Sequence, residues 1–143
     1  MEKENDDCLA IAAEGGHLEC LKWLFHALGC SNLEDEWWLY GFAADGGHLE
    51  ICIWLLENGA PLYSEAFNSI LQAGNLEVAQ WGMQNGAVFD NETFLVATSS
   101  GRIELLEWLK LNNCHWGVLS QGARWRFTSS HVVNWLQENG FRP

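Results

Sequence analysis

Three histidine–cysteine pairs stand at helical spacing in this chain: His17 with Cys20, His48 with Cys52, and His26 with Cys30. Residues three or four apart share a helix face, so each pair could offer a nitrogen and a sulfur donor to one metal ion. A structural zinc site needs four converging ligands, and these pairs fall at non-equivalent offsets in different parts of the chain. They predict no metal centre. Four carboxylates, Glu19, Glu50, Glu77 and Glu104, offer acid–base chemistry, yet each follows an aliphatic residue in the same local setting: Leu18, Leu49, Leu76 and Ile103. A group rebuilt at one structural position serves the element that carries it, not a unique reaction. The sequence has no Gly-x-Ser-x-Gly elbow, no phosphate-cradling glycine loop and no His-Glu-x-x-His. The expectation is a protein that is not an enzyme and holds no metal or cofactor.

The repetition extends well beyond those carboxylates. Trp23, Trp54, Trp81, Trp108 and Trp135 recur at spacings of 31, 27, 27 and 27 residues. Seven residues before them stand Gly16, Gly47, Gly74 and Gly101, with Thr128 in the last copy. Glycine closes most copies at Gly29, Gly59, Gly86 and Gly140, and the fourth has Asn113 and Cys114 there. Asparagine is the next-best residue for a left-handed helix end, so the punctuation survives the substitution. A fixed period of this size marks supersecondary units that cannot bury their apolar faces alone and must stack on one another.

Each copy reads as two short helices. Cys8–Ala13 and Leu39–Ala44 are apolar stretches of about two turns, and Gly15-Gly16 and Gly46-Gly47 then reverse the chain. Leu49, Cys52, Leu55 and Leu56 recur on neighbouring turns of a second helix, while Glu104, Glu107 and Lys110 take a wet face in the fourth copy. The recurring Glu falls in the second helix's first turn, where a negative charge favours the positive end of the dipole. The five-tryptophan register is expected in the core. Trp125 is expected to cap the C-terminal end, and Trp37 and Trp116 to lie in loops between copies.

These features resemble the ankyrin repeat. AADGGHLEICIWLLENGA, from Ala43 to Ala60, and AAEGGHLECLKWL, from Ala12 to Leu24, carry the resemblance; GNLEVAQW and GRIELLEW repeat it more loosely. His17 and His48 then stand as the family's turn histidines. The resemblance covers roughly residues 7–141 and implies an all-α, ankyrin-like solenoid of about five stacked helix-turn-helix repeats, at 7–31, 38–62, 65–89, 92–116 and 119–141. The family's period is about 33 residues and its first helix opens on Thr-Pro-Leu-His. Here Asp7-Cys8-Leu9-Ala10 and Trp38-Leu39-Tyr40-Gly41 stand instead. The shorter period implies short loops in place of β-hairpin fingers. This compact form is similar to divergent arrays of large DNA viruses and protists, and would place the chain in a host cytoplasm if it is viral.

At 143 residues the chain reads as a single repeat domain of residues 1–143, and five copies exceed the roughly three that such stacking needs. The polar stretch Met1–Asp7 is expected as a frayed lead-in. No apolar run approaches the roughly 20 residues of a membrane span, and Met1-Glu2-Lys3-Glu4 lacks the basic start of a secretion signal. The expected compartment is the cytosol or nucleus, with no membrane partner. The odd count of 5 cysteines argues against a disulfide framework. Net charge is -12, and residues 1–65 carry 13 acidic and 2 basic side chains against 6 and 5 in residues 66–143. That balance disfavours nucleic acid, whose binding relies on Lys and Arg neutralising phosphates. A basic or mixed protein surface is the better match.

In stacked hairpins the first helices and the loops before them form the usual binding surface. The position after the small pair of helix one holds Glu14, Asp45, Gln72, Ser99 and Arg126, and the position before it holds Asp6, Trp37, Ser64, Asn91 and Val118. Both columns vary while their neighbours repeat. The insertion in the longer first period adds Glu34, Asp35 and Glu36 beside Trp37. The expected partner-binding residues are therefore Glu14, Glu34, Asp35, Glu36, Trp37, Asp45, Gln72, Asn91, Ser99 and Arg126. The expected role is a non-catalytic protein-interaction module, monomeric or weakly self-associating. The alternative is a structural protein that assembles with copies of itself.

Overall fold

A computed structural model describes residues 2–29, 33–90, 92–114 and 129–140. The described residues form nine helices and no strand: α1 (Glu2–Gly15), α2 (Leu18–Ala27), α3 (Leu39–Asp45), α4 (Leu49–Glu57), α5 (Ser64–Ala73), α6 (Leu76–Gln84), α7 (Thr93–Ser99), α8 (Ile103–Leu111) and α9 (Ser130–Glu138). The protein is all-α in that described part.

Burial patterns explain the packing. The first helix of each hairpin turns one stripe inward: Leu39, Tyr40, Ala43 and Ala44 in α3; Ala66, Phe67, Ile70 and Leu71 in α5; Thr93, Phe94, Ala97 and Thr98 in α7. This spacing keeps four side chains on one face over two turns. The stripes lock α1 onto α3, α3 onto α5 and α5 onto α7, and each first helix also packs on the second helix of its own hairpin. The buried Tyr40 hydroxyl donates to the Ala60 carbonyl at 2.9 Å, tying α3 to the end of its own copy.

Two turns set the hairpin geometry. Gly16, Gly47, Gly74 and Gly101 all have φ between 73° and 78°, a left-handed conformation that a Cβ disfavours. The second helices end at Gly29, Gly59, Gly86 and Gly140, also at positive φ, and at Asn113 with φ 63°. Asn58, Asn85, Asn112 and Asn139 each donate a side-chain N–H to the carbonyl of the preceding register tryptophan at 2.8 Å. This occupies a carbonyl at the C-terminal end of the helix. The asparagine column is a second repeated device that sequence reading passed over.

Two expectations are corrected. α1 starts at Glu2, not after a frayed lead-in, because no glycine or proline before Gly15 halts the helix. The tryptophan register is not uniformly core. Trp54 packs back on Phe25, Trp81 on Tyr40 and Trp135 on Phe94, with ring centroids 5.6, 6.2 and 6.4 Å apart. Trp135 is 8% exposed, Trp54, Trp81 and Trp108 are half-buried, and Trp23 is 66% exposed. The indoles of Trp54, Trp81 and Trp135 take the preceding copy as their surface, and Trp23 lies in the first copy of the described residues. Trp116 and Trp125 lie outside the described residues.

Candidate functional site

The outward stripe of α3 differs chemically from its buried one. Trp38, the residue before α3, and Gly41, Phe42 and Asp45 within it follow helical spacing of three and four. They face Ser69, Gln72 and Ala73 of α5 across an open groove of about 380 Å³. Phe42 remains 38% exposed and meets Trp38 edge to face at 5.8 Å and 90°, a favourable quadrupole arrangement.

The groove is held in shape from three sides. The Trp38 Nε1–H donates to a Glu36 carboxylate oxygen at 2.9 Å, which sets the indole. A Cβ on Gly41 would sit 3.1 Å from the Ser69 Cβ and 3.4 Å from its carbonyl oxygen. Glycine is what lets α5 approach so closely there. The Ser69 hydroxyl donates to Ala66 O at 2.7 Å, leaving its oxygen as an acceptor toward the groove.

Electrostatics around the groove are negative. Burial raises the Glu36 carboxyl above its usual range, the indole hydrogen bond opposes that shift, and nearby Asp6 and Asp35 add to it. Among the described residues the ion pairs are Lys22–Glu19 at 3.4 Å and His48–Glu50 at 3.5 Å. Neither involves the groove, and Asp45 is unpaired among those residues. Lys22, Arg102 and Lys110 all sit on or beside second helices.

Glu14, Asp45, Gln72 and Ser99 take equivalent places near the C-terminal ends of α1, α3, α5 and α7, and all are exposed. Asp45 and Gln72 meet in the same groove, while Glu34 and Asp35 are exposed in the turn before α3. Glu36 is half-buried and engaged with Trp38. Trp37 is half-buried too, its ring 6.0 Å from Tyr63. Asn91 and Arg126 lie outside the described residues. Sequence reading missed Trp38, Gly41, Phe42 and Ser69. Comparison of the copies holds the signal: Phe42 stands where Ile11, Ser69 and Val96 stand, and Trp38 where Asp7, Glu65 and Glu92 stand.

The other chemistry-bearing residues have structural surroundings. A Cβ on Gly16 would come within 2.5 Å of the His48 ring, so this imidazole packs across the preceding copy's turn. Asn75 fills the same position one copy later, accepting from Val78 N–H at 3.1 Å and donating to Ala44 O at 3.2 Å. Cys52 and Cys114 are buried, which pushes their thiols up to about 12 and about 11. Cys8 and Cys20 are exposed. No group of three or more metal-ligating side chains occurs among the described residues, and no helix there is long and apolar enough to cross a membrane. The chain matches no protein-family model, and no curated protein shows significant similarity to it.

Proposed function

We propose that the chain is an ankyrin-like solenoid acting as a non-catalytic protein-interaction module. It takes a partner of basic or mixed charge along its row of first helices and the acidic edge at Glu34 and Asp35, in the cytosol or nucleus. The supporting observation is the contrast between the two stripes of each first helix. Inward positions repeat and stack, whereas outward positions differ from copy to copy and, at α3 and α5, frame an open groove with an exposed aromatic and a carboxylate that forms no ion pair among the described residues. Aromatic anchors within a polar rim are the usual makings of a binding hot spot.

Affinity capture from the native source at low and moderate salt tests this reading, run beside a Glu34→Lys/Asp35→Lys/Asp45→Lys variant. A specific basic protein retained by the wild type, released as salt rises and missed by the variant is the expected result. Recovery of the same proteins by both chains would remove the acidic edge from the interaction.

A second reading, assembly with copies of itself, is favoured by exposed apolar side chains in the first copy. Trp23, Ile11 and Leu28 in the first copy are 66%, 68% and 40% exposed. Sedimentation equilibrium separates the two readings. A mass that climbs with concentration and falls back to monomer in Trp23→Ser supports assembly, and a constant monomer mass removes it.

A further inference from the structure

We infer that the groove between α3 and α5 is a subsite for one arginine side chain, presented by an extended segment of the protein partner. The inference rests on the interaction reading and narrows it to a chemistry. The groove is rich in acceptors and poor in donors. The single polar hydrogen of Trp38 is committed to Glu36, and the hydroxyl hydrogen of Ser69 to Ala66 O. The Asp45 carboxylate is an acceptor-only group, and the amide of Gln72 supplies one further acceptor and the groove's remaining side-chain donor. A ligand group that donates in several directions and accepts nothing matches that set, and guanidinium is such a group.

The aromatic wall points the same way. Trp38 and Phe42 form an edge-to-face pair at the groove, and aromatic rings attract a desolvating cation through their quadrupole. A planar guanidinium can lie along a ring while its N–H groups fork toward Asp45, whereas an ammonium is a compact, strongly hydrated point charge that gains less from such a wall. The surrounding field favours a cation as well. Asp6 and Asp35 lie near enough to raise the Glu36 carboxyl, and Glu14 holds the same register on α1 as Asp45 does on α3. The volume suits one long side chain rather than a helix, and the groove's open side leaves the backbone of an extended segment outside.

The test is an NMR titration of the full 15N-labelled chain at low salt with the tripeptide acetyl-Gly-Arg-Gly-amide and its lysine counterpart. Saturable shifts of the Trp38 indole N–H, the Gly41 amide and the Gln72 side-chain amide are expected with the arginine peptide. The lysine peptide should bind about ten-fold or more weakly. Asp45→Asn, an exposed change that leaves the packed stripe intact, should weaken the arginine peptide by about ten-fold, and Phe42→Ser should weaken it as well. Glu57→Gln, on α4, should leave it unchanged. Absence of saturable shifts, equal binding of the two peptides, or indifference to Asp45→Asn each overturns the subsite. The titration requires no native partner. A failed titration with a partner still captured removes only the arginine subsite, whereas capture that recovers no partner removes the interaction reading itself.

Discussion

Glu36 shows how one side chain can serve geometry at the expense of its own ionisation. It accepts the Trp38 indole hydrogen at 2.9 Å from a half-buried position near Asp6 and Asp35, and burial outweighs the hydrogen bond, so its carboxyl is raised from 4.5. A carboxyl raised on folding imposes nothing while it is protonated. It costs stability as pH climbs through the interval above its unfolded value, because the folded state then resists losing the proton. Glu36→Gln keeps an acceptor for the indole and cannot ionise. Thermal melts are expected to show the variant more stable than wild type at neutral pH and equal to it at about pH 3, below the ordinary carboxylate range. A variant less stable at both pH values would show that the hydrogen bond, not the charge, dominates. Asp90 illustrates the opposite balance. Burial would raise it, but bonds from Asn68, the Glu92 N–H and Thr93 together lower it, so its contribution is present at neutral pH and is lost as pH falls through its folded value.

At the scale of the element, the hairpin depends on two kinds of glycine that sequence alone presents as equivalent. Gly16 and its counterparts are needed for positive φ. Gly46 is different: its φ of -79° suits any residue, yet a Cβ there would run into the Glu14 carbonyl oxygen of α1. Gly46→Ala should therefore be destabilising by about 1–3 kcal/mol through overpacking, despite alanine's higher helix propensity. Gly29→Ala, with no atom of the described residues within 4 Å of the new Cβ, should show only the strain of its left-handed backbone, about 1–2 kcal/mol. Urea midpoints for the two variants, with a crystal structure or amide shifts of Gly46→Ala, would show whether the α1–α3 stack moves in the first and stays in place in the second. An unmoved stack and unchanged midpoint in Gly46→Ala would mean that α1 and α3 sit farther apart than described.

At the scale of the whole molecule, stability is shared between neighbouring copies, and the same residue type matters differently along the stack. Trp135 stacks on Phe94 at an interplanar angle of 18° and is 8% exposed, whereas Trp23 is 66% exposed. Trp135→Ala should cost about 3–5 kcal/mol, and Trp23→Ala no more than about 0.5 kcal/mol. Equilibrium unfolding in urea checks both values. A large loss for Trp23→Ala would place its indole against another surface, such as a second copy. Net charge is distributed along the same axis: the outward register runs from Glu14 and Asp45 to Gln72 and Ser99, so a basic partner should engage the early copies first.

Sequence alone determined the elements that depend on local backbone chemistry. The left-handed glycines, the Asn113 substitute at φ 63° and the first-turn glutamates were legible because each is set within one turn of chain, and the helical hairpins because those local marks recur at a fixed period. The proposed fold family and partner rest on resemblance and charge, not on local backbone chemistry. Tertiary structure decided what depends on neighbours. It packed Trp54, Trp81 and Trp135 on the copy before each of them and left Trp23 exposed, and it set Trp38 through Glu36. It also made a groove of Phe42 and Asp45 by bringing Ser69 and Gln72 beside them. A residue's type repeats with the sequence, but its surroundings depend on which copy lies on either side of it and how closely two helices approach.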